Sequence, residues 1–155
     1  MCSRLNGYPE RLWTKNRPIN PIFHPEEYLY RRFHSKSIFN GQLLPTAFRF
    51  PNCSVNRSLY SEPFDVLLHD HPKYAGWGVA KFTVEQASIS VLSNTGTISF
   101  QIVHKPVEYN YSHSEILHSA SGEIPVDLSN SLGKKFREKL VQKIVVCREA
   151  TPDSN

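Results

Sequence analysis

Apolar and polar positions follow a regular pattern in only a few stretches of this chain, and those stretches outline its elements. Over residues 97–104, Ile98, Phe100 and Ile102 alternate with Thr97, Ser99 and Gln101, which predicts a half-buried strand. Asn94-Thr95-Gly96 before it reads as a turn, and Pro106 ends it. Over 77–84, Gly78, Ala80, Phe82 and Val84 fall on one face of a second strand. Tyr28-Leu29-Tyr30-Arg31-Arg32-Phe33 and Thr46-Ala47-Phe48-Arg49-Phe50 are aromatic runs bounded by turn residues, and both predict strands. Asn40-Gly41 between them predicts a turn.

The helical spacing occurs once with strength. Leu132, Phe136, Leu140 and Ile144 recur every four residues, Val141 and Val145 widen the stripe, and Lys134, Lys135, Arg137, Lys139 and Lys143 decorate the remainder. This predicts an amphipathic helix over 129–146, capped by Asp127, Ser129 or Ser131. The β-branched run Ile144-Val145-Val146 allows a final strand instead. Ser61 before Glu62-Pro63-Phe64-Asp65-Val66-Leu67 predicts a short helix with an N-capping Ser and an early Pro. Strands scattered among few helices, without βα alternation, predict an α+β fold. The expected architecture is a small mixed or antiparallel sheet with a short helix and one C-terminal amphipathic helix. It occupies a single domain over 28–148, followed by a frayed tail over 149–155.

Residues 1–27 break the pattern. They lack periodicity and carry Pro9, Pro18, Pro21 and Pro25, so an extended Pro-rich arm is expected. Leu5, Tyr8, Leu12, Trp13, Ile19, Ile22 and Phe23 are too apolar for a solvated tail. The arm either wraps over its own domain or orders on a partner.

Composition narrows the class without naming an activity. The chain has 155 residues, 39% apolar and 12% aromatic, enough for one domain with a real core. No run approaches the length of a membrane helix, and residues 1–13 hold no apolar signal core, so a cytoplasmic protein without membrane contact is expected. Cys2, Cys53 and Cys147 are too few and too scattered for a disulfide framework or a four-thiolate zinc site. No cofactor is implied. The formal charge is +4. Residues 1–50 carry eight Lys/Arg and three Glu, whereas 51–155 are close to balanced, so the positive charge belongs to the N-terminal third.

Four constellations carry candidate chemistry. His69-Asp70-His71 offers two imidazoles for a metal, and His113-x-Glu115-x-x-His118 offers further ligands. The run before Pro72 lacks the downstream Ser and Asp of the His-x-His-Pro metalloproteases, and His113 to His118 is not the H-E-x-x-H helix motif. Glu115 beside His113 suits general acid–base work, with Ser112 and Ser114 adjacent. Cys53, in an expected loop, needs a nearby cation such as Arg49 or Arg57 to be reactive. Arg31 or Arg32, then Ser54-Val55, then Glu115 follow an order similar to that of ADP-ribosyltransferase-like folds. Finally, Arg4, Arg11, Lys15 and Arg17 interleave with Tyr8 and Trp13, and Arg31, Arg32, Lys36 and Arg49 lie near Tyr28, Tyr30, Phe33 and Phe48. Guanidinium groups contact phosphates and aromatic faces stack on unpaired bases, so this third of the chain is the candidate polyanion surface.

Tyr30-Arg31-Arg32, Ala47-Phe48-Arg49, Ser54-Val55, Glu62-Pro63-x-Asp65-Val66-Leu67, Gly78-Val79-Ala80 and His113-Ser114-Glu115-Ile116 together resemble a loose group of small bacterial proteins of unknown function. The resemblance spans about residues 28–118, implies no activity, and draws attention to His113. The expectation is a non-enzymatic accessory subunit of a bacterial multi-protein system. It engages a partner protein or nucleic acid through Arg11, Trp13, Lys15, Arg17, Arg31, Arg32 and Arg49. The alternative is a small hydrolase or transferase centred on His113 and Glu115, with His69 and His71 as metal ligands.

Overall fold

The computed structural model describes residues 4–5, 7–48, 53–68, 72–93, 96–119 and 130–151. Its strands and helices in chain order are β1 (Arg4–Leu5), β2 (Tyr8–Pro9), β3 (Tyr28–Phe33), β4 (Ile38–Phe39), β5 (Gln42–Leu43), β6 (Cys53–Arg57), β7 (Gly78–Thr83), α1 (Val84–Ala87), β8 (Ser90–Ser93), β9 (Gly96–His104), β10 (His113–Ser119), α2 (Asn130–Val141) and β11 (Val145–Arg148). Seven strands form one sheet in the order β11-β7-β3-β6-β10-β9-β8, antiparallel at every pairing. β1–β2 and β4–β5 are separate two-stranded ribbons. Sheet therefore dominates, and among the described residues the helical share of the expected α+β fold is α1, α2 and short 3-10 turns.

Side-chain alternation gives the large sheet two unlike faces. Leu29 and Phe33 of β3, Cys53 and Val55 of β6, Ala80 and Phe82 of β7, Phe100 of β9 and Ile116 of β10 belong to the main core. Helix α2 closes that core with Phe136 and Leu140, and the Phe136 ring stacks on Phe100 at 3.8 Å between centroids. The opposite face carries a smaller cluster of Val66, Leu67 and Val79, flanked by Tyr30, Tyr74 and Trp77.

Several expectations change here. The run 46–50 does not start as a strand: Pro45–Ala47 is a 3-10 turn with Pro45 in its first turn, and Phe48 follows as a buried residue of the core. Proline supplies the φ of that turn and no ladder donor. The segment after Ser61 is a 3-10 turn, Pro63–Leu67, capped by Glu62 and Asp65, while the Ser61 hydroxyl donates to Arg57 O instead. Cys53 lies in a strand, fully buried, rather than in a loop. Helix α2 stops at Val141, and β11 takes over the β-branched run that follows. Asn40 and Gly41 both adopt positive φ, 51° and 77°, between β4 and β5, the backbone of a tight primed hairpin turn. Thr151, in the expected frayed tail, bonds through its backbone N–H to Gly76 O at 2.8 Å.

Of the two arrangements open to the arm, it adopts the first. Leu12 is buried, and its carbonyl accepts from Tyr111 N–H at 2.9 Å. The Tyr111 hydroxyl donates to Pro18 O. Asn20 donates from its backbone to His104 Nδ1 at 2.9 Å and from its side chain to the Tyr60 hydroxyl at 2.7 Å. Tyr8 stacks on Tyr109, whose φ of 62° is strained for an aromatic residue. Beyond the short β1–β2 ribbon, polar groups of this proline-interrupted backbone have no ladder and several take partners on the sheet or the loops that join its strands. Among the described residues no helix is long and apolar enough to cross a membrane.

Candidate functional site

Strands β3 and β6 pair only at Leu29–Arg57 and Tyr30–Asn56. Beyond Tyr30 they part. β3 continues to Phe33 against β7 alone, and β6 runs back to Cys53 against β10. Arg31 fills the gap. Its residue position shares the inward parity of Leu29 and Phe33, and its neighbour across β7 is the small Ala80. The guanidinium donates Nε–H to Ala47 O at 3.1 Å and from Nη1 to Ser54 O at 2.8 Å, in place of the missing ladder bonds. Arg32 leaves the other face, donates to Val66 O at 3.3 Å and lies 3.9 Å over the Tyr74 ring.

These side chains border a cleft of about 300 Å³, lined also by His34, Ser37, Thr46, Ser54 and Trp77. Lys36 N–H donates to His34 Nδ1, which leaves the ring proton of neutral His34 on Nε2. Trp77 meets Tyr74 and His34 edge to face, at 4.7 and 5.2 Å. No Asp or Glu lines the cleft among the described residues.

Pairing separates Arg31 from two other guanidinium groups, the buried Arg57 and the exposed Arg11. Arg57 is fully buried but faces Glu27 in a two-point ion pair, 2.9 Å at each contact. Arg11 forks onto the buried carboxylate of Asp65 at 2.6 and 2.7 Å. Arg31 is 9% exposed, and among the described residues no carboxylate lies within ion-pair distance of it.

The remaining expected site residues fall elsewhere. Trp13, Lys15 and Arg17 border a shallower depression on the arm. The Trp13 indole donates to Tyr8 O, and Arg17 donates to Arg11 O and Trp13 O while lying 3.6 Å over Tyr111. His113 and Glu115 leave β10 on the same face, yet Lys105 engages both, its carbonyl at His113 Nδ1 and its ammonium at Glu115. Ser112 and Ser114 are fully buried. Glu115 stands directly across from Ser54, whereas Arg31 and Arg32 lie on the part of β3 that has separated from β6. Cys53 is buried in the core, and Arg57 is committed to Glu27. Arg49, His69 and His71 lie outside the described residues. No group of three His, Cys, Asp or Glu side chains fit to hold a metal occurs among the described residues.

Sequence reasoning missed His34, Tyr74 and Trp77 as partners of the Arg pair, since the fold joins them from separate segments. It also passed over His104. That imidazole is 1% exposed, accepts from Asn20 N–H at Nδ1 and meets Tyr111 O at Nε2. Burial holds its pKa below the ordinary value, and Arg57 and Arg17 push the same way. The signal was present: His104 shares the inward parity of Phe100 and Ile102. Comparison of the chain with protein-family models, with curated proteins and with solved structures finds no match to any of them.

Proposed function

We propose that this protein is a non-enzymatic binding module whose cleft between β3 and β6 receives an anionic group of its partner. One observation carries the reading: Arg31 is a nine-tenths buried cation with two backbone carbonyls and, among the described residues, no carboxylate within ion-pair distance. A buried charge without a counter-charge costs several kcal/mol in principle, and proteins ordinarily pair such groups. Arg57 follows that rule within this same chain, paired with Glu27. An open cleft beside the exception supplies the place for the missing anion.

The test is titration with inorganic pyrophosphate, read by Trp77 fluorescence in a Trp13→Phe background. Saturable binding that weakens with salt and disappears in Arg31→Met is expected. Unchanged binding in a folded Arg31→Met protein, or no binding of pyrophosphate by the unmutated cleft, overturns the reading. The alternative centred on His113 and Glu115 rests on their common face, but Lys105 holds both groups.

A further inference from the structure

We infer that the anion taken by the cleft is the terminal phosphate of a nucleotide, with the base set against the Tyr74–Trp77 wall. This inference rests on the anion-binding reading above and names its ligand.

Three features of the cleft select the chemistry. The first is the donor set. Arg31 lines one space with Ser37, Thr46 and Ser54, the Thr46 hydroxyl donating to Ser37 at 3.1 Å, and Arg32 borders it while donating to Val66 O. A carboxylate is planar, has two oxygens and is satisfied by one guanidinium fork. A terminal phosphate is close to a dianion near neutral pH and has three acceptor oxygens. Two guanidinium groups with several hydroxyls match the second better. The absence of any lining Asp or Glu among the described residues leaves an ammonium group without a counter-charge, which disfavours amino acids and other zwitterions.

The second feature is the aromatic wall. Trp77 and Tyr74 are held edge to face at 4.7 Å, and Arg32 braces Tyr74 from 3.9 Å. The two rings thus hold each other in contact with Arg32 against one of them, and flat heterocycles gain most from rings already in place.

The third feature excludes an extended peptide. Where β3 and β6 part, a strand edge opens that an added peptide would ordinarily use through its backbone. Arg31 already occupies Ser54 O at that edge, and Ala47 O of the 3-10 turn beside it. The space left is about 300 Å³, the small end of ligand sites and short of a groove that tracks a strand. It suits one terminal unit.

A ligand series on the unmutated protein tests this by calorimetry, using inorganic phosphate, ribose 5-phosphate, adenosine, 5′-AMP, phosphotyrosine and a short 5′-phosphorylated oligonucleotide. 5′-AMP is expected to bind about tenfold more tightly than ribose 5-phosphate, the size of one base-stacking contribution, and adenosine more weakly than either. Trp77→Leu should bring the affinity ratio of 5′-AMP to ribose 5-phosphate down to about one. The oligonucleotide assigns the source: binding at least as tight as 5′-AMP indicates a strand end, weaker binding a free nucleotide, and both support the inference.

Equal affinity for 5′-AMP and ribose 5-phosphate overturns the nucleotide inference but leaves the anion reading standing. Tighter binding of phosphotyrosine than 5′-AMP overturns it in favour of a phosphopeptide. Adenosine binding as well as 5′-AMP removes the role of the phosphate. If none of the phosphates binds, both readings fall.

Discussion

Arg57 and Glu27 form a fully enclosed two-point ion pair, and the same guanidinium holds the carbonyls of Asn20 and Ile22 at 2.7 and 2.6 Å. Phe23 lies over it at 3.9 Å. One side chain of β6 therefore fixes the arm to the sheet. Arg57→Met leaves Glu27 buried and unpaired, and unfolding free energy should drop by about 3–5 kcal/mol. The double variant Arg57→Met/Glu27→Leu should recover part of that loss. Urea denaturation of the three proteins checks both statements, and a double variant no better than the single one contradicts them.

Removing residues 1–25 should damage the domain itself rather than only a binding function. The truncation takes away the acceptors of Arg57 and Tyr111, the donor to His104 and the buried Leu12. Each unsatisfied buried group costs about 1–3 kcal/mol, and several together approach the stability of a typical domain. The expected result is a broad melt of reduced cooperativity by circular dichroism. A truncated protein that melts like the intact one refutes this account of the arm.

Gly78 sits beneath Phe33, and a Cβ there would meet the ring well inside van der Waals contact. Both are fully inside the sheet, opposite each other on β7 and β3. Gly78→Ala should cost about 1–3 kcal/mol through overpacking. In a Phe33→Leu background the same substitution should cost markedly less. Equal costs in the two backgrounds would show that ring and glycine do not compete for space.

Stability should fall on mild acidification through His104. Burial lowers its pKa in the folded state, whereas the unfolded chain keeps the ordinary value near 6.5. The unfolded state then binds more protons below about pH 6.5. Stability is complete above that value and declines as pH falls, until the lowered folded pKa is reached. The physical event is a proton on Nδ1, which replaces the acceptor for Asn20 N–H with a second donor. His104→Gln should flatten this part of the pH profile of urea midpoints.

Much of the sheet was legible because period-two alternation coincides with burial. Phe100 and Ile102 in β9 and Ala80 and Phe82 in β7 face the core as the pattern requires. β6 escaped notice because Asn56 and Arg57 are polar yet buried, and polar letters in a short run conceal a strand. The aromatic run at 46–50 misled for the converse reason, since Pro45 converts its beginning to a 3-10 turn while Phe48 still enters the core. The Arg pair stood out, but not the difference between its members. Arg31 lies at the inward parity of Leu29 and Phe33, a charged residue in an apolar column. That anomaly marked the cleft. Its aromatic wall arrives through tertiary contact and left no local pattern.

The ties of the arm also set an order of events during synthesis. Residues 12–22 leave the ribosome long before His104 and Tyr111, their principal partners, exist. At ordinary elongation rates the delay is on the order of 5–20 seconds. Throughout that interval Leu12 and Trp13 have nothing to bury against, and Ile19 and Ile22 stay exposed even after folding, so the nascent chain offers an apolar segment to chaperones before it has a domain. Docking of the arm closes contacts across 84 and 93 positions of sequence, which places it late in folding.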